Sequence, residues 1–229
     1  MMSIFNTNFE CIEPFIEHQG EMRSFWLRKP RLIGDRILLA RKDSSITGSF
    51  SDKIVIFLDI KSAFGTGGHG TTEGCILALE KHLKGREEVL DVGTGTGILA
   101  IAAFKLGAKN ITAVEIDKNA CIEAKKNLAL NSIKSGIEII HGNIKSAEKK
   151  FDIIAANLRT LILVELMEDI CDRMKGGGIL ILSGILEREL PFFQFFLEKY
   201  PLQTIEIKRI HGWMTVVINK DCSKLKAHS

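Results

Sequence analysis

The stretch Val89-Leu90-Asp91-Val92-Gly93-Thr94-Gly95-Thr96-Gly97, followed by Ile98-Leu99-Ala100-Ile101-Ala102-Ala103, decides the fold. An apolar run ends in an acid, passes through glycines at alternate positions and opens into a helix-forming segment. This is a strand, a tight loop and a helix N-terminus. The glycines let the backbone approach a ligand closely. The first helical N–H groups have no partner inside the helix and are free to bind it. Eighteen residues beyond Gly97 stands Glu115, which ends a second apolar run, Ile111-Thr112-Ala113-Val114. A carboxylate there can accept both hydroxyls of a ribose, so the two segments together point to a nucleoside cofactor.

Glycine spacing narrows the choice. A dinucleotide fold uses G-x-G-x-x-G, which would place the third glycine at position 98. Position 98 is Ile, and the third glycine falls one residue earlier, at Gly97. This G-x-G-x-G spacing fits the loop of S-adenosylmethionine-dependent methyltransferases, which cradle no pyrophosphate. A plain strand-to-helix turn is the bland alternative for the loop alone. Asp91 and Glu115 at the ends of neighbouring strands argue against it.

The rest of the chain sets these strands in a larger pattern. Runs near 36–40 and 53–59 read as strands, and a helix begins at Thr71 or Thr72 and runs to about Leu83. Strands are expected near 88–92, 110–115, 137–141, 151–156 and 178–183, and helices near 98–107, 118–131, 160–174 and 187–199. Runs at 203–208 and 214–219 read as a hairpin turning at His211-Gly212. Leu161 to Met167 reads as core-facing helix. Five alternating units give an α/β, doubly wound, mostly parallel seven-stranded sheet with a C-terminal antiparallel hairpin. The expected organisation is a short N-terminal appendage on the substrate side (1–52), a main domain (53–220) and a frayed polar tail (221–229).

Composition excludes other classes. At 229 residues, 45% apolar and 26% charged, the chain is ordinary for a globular protein with one main core. The apolar stretch from Gly176 to Leu186 is too short to span a membrane. Met1 to Phe15 lacks the basic-then-apolar pattern of a signal peptide. The five cysteines, at 11, 75, 121, 171 and 222, form no C-x-x-C and stand near no histidine at ligand spacing. They read as reduced thiols in a cytoplasmic protein with no metal site. A net charge of +3 implies no broad nucleic-acid surface.

Two further segments complete a constellation. Ala63-Phe64-Gly65-Thr66-Gly67-Gly68-His69-Gly70-Thr71-Thr72 holds four glycines ahead of a helix expected to be capped by threonine. Ile153-Ile154-Ala155-Ala156-Asn157-Leu158 is a strand ending in an amide. Alone, the first reads as a flexible loop and the second as a turn. In order, together with Leu182-Ser183-Gly184-Ile185-Leu186, they resemble the ribosomal protein L-eleven methyltransferase family (PrmA-type). Its pattern has an Ala-Phe-Gly-Thr-Gly-Thr-His-Pro-Thr-Thr loop, the glycine loop, an acid-bearing strand, Ala-Asn-Ile and Leu-Ser-Gly-Ile-Leu. The resemblance runs from about Lys53 to Lys220.

It implies a Rossmann-like class I methyltransferase using S-adenosyl-L-methionine and releasing S-adenosyl-L-homocysteine. The acceptor it implies is an amino nitrogen of a protein substrate, a ribosomal protein, with no membrane or nucleic-acid partner. The implied cofactor contacts are Phe64, Gly65, Thr66, Thr72, Asp91, Gly93, Thr94, Gly95, Gly97, Glu115, Ile116 and Asn157. Asn157 is also the candidate catalytic residue, whose carbonyl accepts an N–H of the amine and aims its lone pair. Asp91 either holds the loop N–H groups or meets the ligand. His69 reads as a loop-surface histidine, with proton shuttling as the alternative.

Departures from the pattern matter. Gly68 and Gly70 replace Thr and Pro, which suggests a more mobile loop able to act as a lid. Glu115 replaces Asp, and Leu158 replaces Ile. The family carries a recognition domain ahead of the catalytic one, whereas about 50 residues precede Lys53 here and match it little. The acceptor therefore stays open. A small molecule, a different protein, or a non-catalytic cofactor-binding subunit are the alternatives. A nucleobase fits poorly, because Asn157 is followed by Leu158-Arg159-Thr160 rather than the Pro-Pro-Tyr of such sites.

Overall fold

The computed structural model describes residues 30–44, 46, 50, 52–59, 65 and 67–220. Phe64, Thr66, most of the expected appendage and the expected frayed tail lie outside the described residues.

A small sheet comes first. Strands β1 (Arg31–Ile33) and β2 (Ile37–Arg41) pair antiparallel, and β3 (Ile54–Leu58) pairs parallel to β2. Helix α1 (Gly70–His82) leads into the alternating body: β4 (Glu88–Val92), α2 (Ile98–Lys105), β5 (Asn110–Glu115), α3 (Lys118–Leu130) and β6 (Ile137–His141). There follow β7 (Phe151–Asn157), α4 (Thr160–Arg173), β8 (Met174–Leu186), α5 (Leu190–Leu197), β9 (Leu202–Ile210) and β10 (Trp213–Lys220). Seven strands form one sheet in the order β6-β5-β4-β7-β8-β10-β9, in which β10 runs antiparallel to both β8 and β9.

This sheet is sandwiched because its strands are apolar on both faces. Val89, Ile111, Ile153, Ile181 and Val217 pack with Ile76 and Leu79 of α1 and with α2. Their neighbours Leu90, Val92, Val114, Ile154, Leu180, Leu182 and Val216 pack oppositely, with Leu163, Met167 and Ile170 of α4 and Phe193 of α5. The chain leaves β4 toward β5 and β6, then returns to β7 on the other side. That reversal opens a crevice at the carboxyl end of β4, where open α/β sheets bind ligands.

Several expectations change. The early strands build their own sheet, and the expected boundary at 52/53 falls between β2 and its partner β3. The outer edge of β3 is met by side chains instead of a strand. Asn131 accepts the Phe57 N–H at 3.0 Å and donates to the Phe57 carbonyl at 2.7 Å, and Asn127 accepts the Asp59 N–H at 2.9 Å. The helix expected to reach 174 stops at Arg173. Strand β8 starts at once, four residues ahead of the expected 178, because Met174 seats in the second core and Lys175 pairs with Glu88 and Asp152. The helix expected over 187–199 shortens to α5, with Pro191 in its first turn behind a 3₁₀ turn at Glu187–Glu189. Leu161 is 69% exposed, and Ile162 is exposed too, so this part of the expected core face turns outward. The inward stripe of α4 is Leu163, Met167 and Ile170, spaced four and three apart.

Candidate active site

The crevice is built from the ends of β4 and β5. The Gly93 and Thr94 N–H groups both donate to the Val114 carbonyl, at 2.9 and 3.1 Å, folding the loop against β5. Gly97 caps α2 in the left-handed conformation (φ 83°) that glycine adopts without strain. Asp91 lies buried beneath the loop. One oxygen, Oδ2, accepts the Thr94 hydroxyl at 2.6 Å and the Ala100 N–H at 3.2 Å. The other, Oδ1, is buried with no hydrogen-bond partner. Burial pushes the Asp91 acid up to about 6 against the pull of its two bonds, and the nearby Glu115 carboxylate adds to the rise.

Glu115 is braced on both oxygens. Its Oε2 accepts the Gly95 N–H and its Oε1 the Asp117 N–H, each at 3.0 Å. A carboxylate oxygen offers two acceptor sites, so each keeps one for a further donor. Ile116 beside it is 75% exposed, an apolar surface at the rim of the crevice.

The far wall comes from β7, β8 and α1. Asn157 ends β7, and its amide reaches the Thr72 hydroxyl at 3.4 Å. Thr72 is fully buried in the first turn of α1, so it anchors the amide. Leu158 continues from Asn157 and donates its N–H to the Ser183 carbonyl at 3.0 Å. It is wedged between two glycines. A Cβ on Gly93 would come within 2.6 Å of Leu158 Cδ2, and one on Gly184 would overlap the Leu158 carbonyl oxygen. Below, Ser183 Oγ donates to the Met214 carbonyl and lies 2.9 Å from the Thr215 hydroxyl. Burial, reinforced by Asp91, pushes the Cys75 thiol far up, so it is no nucleophile.

The glycine-rich segment is pinned where it is described. Thr96 Oγ1 donates to the Gly65 carbonyl at 2.8 Å, and Arg31 donates to the Gly68 carbonyl at 3.0 Å while pairing with Glu73. His69, expected on the loop surface, is half-buried and caps α1. Its Nδ1 accepts the Thr71 N–H and lies 2.8 Å from the Thr71 hydroxyl. The cap is therefore His69 and not a threonine. Its ring packs on Trp213 with centroids 4.8 Å apart. Burial, with His211 adding, holds its pKa below the usual value, which keeps Nδ1 an acceptor at neutral pH. Gly70 owes its place to space: a Cβ would come within 2.6 Å of the Ile210 carbonyl oxygen.

Of the expected site residues, Gly65, Thr72, Asp91, Gly93, Thr94, Gly95, Gly97, Glu115, Ile116 and Asn157 line or brace this one crevice. The reading of the sequence missed Thr96, Arg31, Trp213 and Gly184 as parts of it. Ser183-Gly184 and Thr96 stood inside quoted motifs, which was the only signal available for them.

Comparison with known proteins follows the same outline. Residues 21–221 match the sequence pattern of the family described as ribosomal protein L11 methyltransferase (PrmA), a match that takes in the small sheet as well as the main one. A ribosomal protein L11 methyltransferase of Caldicellulosiruptor saccharolyticus is 40% identical over 193 residues, covering 84% of this chain and 63% of that protein. One from Dictyoglomus thermophilum is 38% identical over 211 residues, covering 91% of this chain and 69% of its own length. The chain thus spans about two thirds of the length of these relatives. The crystal structure of a ribosomal protein L11 methylase from Lactobacillus delbrueckii subsp. bulgaricus superposes with a TM-score of 0.79 at 32% identity, covering 84% of this chain and 98% of that one.

Proposed function

Since the chain belongs to the ribosomal protein L11 methyltransferase (PrmA) family, we propose that it transfers a methyl group from S-adenosyl-L-methionine to an amino nitrogen of a ribosomal protein, L11 in the names of its relatives. The observation that carries this reading lies at the ends of β4 and β5: one unused acceptor site on each Glu115 oxygen, with the unpaired Asp91 carboxylate oxygen buried beneath them. They fit a ligand that brings a diol and an ammonium group. When bound, the sulfonium cofactor supplies an activated methyl group.

The chain's own residues do the rest. Glu115 receives the ribose hydroxyls, each charged hydrogen bond contributing about 1.5–3 kcal/mol. The Asp91 charge beneath the loop attracts the ammonium of the methionine part, Ile116 covers the base, and Gly93 leaves room beside Leu158. Asn157, steadied by Thr72, accepts an N–H of the incoming amine and points its lone pair along the line of transfer. Such positioning contributes several kcal/mol of a barrier. A lysine amine must also lose a proton, a deficit of about 4–5 kcal/mol at pH 7. An apolar mouth favours the neutral amine. The His69–Trp213 pair, one helical turn from Thr72, and Leu158 supply its walls. The compartment this reading assigns is the cytoplasm, which suits Cys75 and Cys121, buried as free thiols. Among the described residues no helix is long and apolar enough to cross a membrane.

The test is incubation with methyl-labelled cofactor and purified L11, alongside a small-molecule fraction of a cell extract. Label is expected on lysine or N-terminal amines of L11. Asn157→Ala is expected to lower turnover about a hundredfold with cofactor affinity within a few-fold, and Glu115→Ala, which removes both ribose bonds, to weaken cofactor binding by roughly 3–6 kcal/mol. Label on a small molecule alone, or on nothing, overturns the acceptor or the catalysis respectively.

A further inference from the structure

Strand β9 is the last strand of the large sheet, and no described element pairs with its outer edge. It is nine residues long, Leu202-Gln203-Thr204-Ile205-Glu206-Ile207-Lys208-Arg209-Ile210. Proteins usually blunt such an edge, since its free N–H and C=O groups are a template for another strand. Here Ile205 and Ile207 are 45% and 39% exposed on it.

The direction of its backbone groups follows from the hairpin. His211 and Gly212, both at positive φ, form a two-residue turn that pairs Ile210 with Trp213. The pair closing such a turn is hydrogen-bonded, and bonded and non-bonded pairs alternate from there. Lys208 opposite Thr215 and Glu206 opposite Val217 therefore bond inward to β10. Arg209 and Ile207 turn their N–H and C=O groups outward, away from the sheet.

We propose that this edge pairs with itself, joining two copies of the chain antiparallel about a two-fold axis at Ile207. In that register Ile207 meets the partner's Ile207 as a hydrogen-bonded pair, using the groups that face outward. The adjacent pairs set Glu206 opposite the partner's Lys208, and Lys208 opposite the partner's Glu206. These are non-bonded pairs, in which side chains approach most closely. Arg209 falls opposite the partner's Ile205, where its methylene stem covers that side chain. The two central isoleucines bury one another.

The charges select this register. An axis at Glu206 sets Glu206 against the partner's Glu206. One at Lys208 opposes two lysines, and one at Arg209 two arginines. An axis at Ile205 falls on the irregularity where β9 carries an extra residue between the partners of Val217 and Ile218. Lys208 alone would repel a second copy, but two residues from Glu206 it becomes half of a self-complementary pair. Glu206 stays held by Lys81 of α1 at 2.6 Å, which fixes its position on the face it presents.

The experiment is sedimentation equilibrium of the full chain over a wide range of concentrations, with three variants. The wild type is expected to show a monomer–dimer equilibrium. Lys208→Glu sets two pairs of like charges opposite one another and weakens the dimer at least tenfold. The variant that combines Glu206→Lys and Lys208→Glu with Lys81→Glu reverses the charges across the dimer together with the pair that holds residue 206, and restores it. Ile207→Pro removes an N–H that points away from β10, so the fold and its melting midpoint persist while the dimer is lost. A wild type that stays monomeric at every concentration overturns the proposal. So does a dimer that Lys208→Glu and Ile207→Pro leave unchanged.

Discussion

Replacing Asp91 by Asn tests the chemistry at the base of the crevice. Asp91 is 1% exposed, and burial raises its acid from the ordinary 3.8 to about 6. The folded protein therefore holds this proton more tightly than the unfolded chain does. Asp91 contributes fully to stability below pH 4, and that contribution falls as pH rises through about 6. The gap between 3.8 and about 6 corresponds to about 3 kcal/mol, the penalty for a charged carboxylate kept dry at neutral pH. Asn has no proton to lose, and its carbonyl oxygen can still accept the Thr94 hydroxyl and the Ala100 N–H. Urea unfolding of both proteins at pH 4, 5, 6 and 7 gives the difference in their stabilities, in which the other carboxylates cancel. The Asn variant should gain about 2.4 kcal/mol on the wild type between pH 4 and 7, the rest of the gap lying below pH 4. A difference that stays constant, or runs the other way, refutes the assignment of a dry carboxylate. Cofactor affinity at neutral pH should fall in the same variant, since an amide offers the ammonium no charge. A variant that gains on the wild type as pH rises and binds less tightly is the mark of a residue placed for function.

Two further substitutions probe the frame around the site. Gly184→Ala meets both a φ of +90° and the Leu158 carbonyl. It should cost at least about 1–3 kcal/mol in chemical denaturation, and it should lower turnover, because the displaced Leu158 adjoins Asn157. Asn131→Ala strips the edge of β3 of its side-chain partners at Phe57. It should cost about 1–3 kcal/mol and raise amide exchange in β3 well above that in β4.

What was legible in the sequence is what lies along a single run of chain. Asp91, Glu115 and Asn157 each end an apolar strand, so spacing alone placed them at the same end of parallel strands. The sheet was legible for the same reason: Val89 and Leu90 feed opposite cores, a pattern that only a strand covered on both faces requires. The long β8 was harder to read because Gly176, Gly177 and Gly178 look like a turn. What holds Met174 in the strand is burial beside Phe151, a neighbour in another element. Contacts between distant segments left no trace in spacing. The Thr96 hydroxyl meets a carbonyl 31 residues away, and the Asn157 amide a hydroxyl 85 residues away. Asn127 and Asn131 carry no mark in the helix pattern that singles them out, yet their side chains meet the edge of β3.

The glycines show why composition misleads about motion. Gly70 stands where the family pattern has proline, and the natural inference from the sequence is a looser loop. In the structure it carries no positive φ, and the space its absent side chain leaves is filled by the Ile210 carbonyl. A proline ring would need that space. The same hairpin brings Trp213 against His69, the cap of the helix that Gly70 begins. The departure from the family pattern and the closeness of the hairpin are therefore one feature: the small residue admits the strand end, and the strand end, through Trp213, packs the cap that holds Thr72 beneath Asn157. Freedom lost to packing is not available as motion, so His69 and Gly70 sit held at the helix start where the glycine content alone suggests a loose loop.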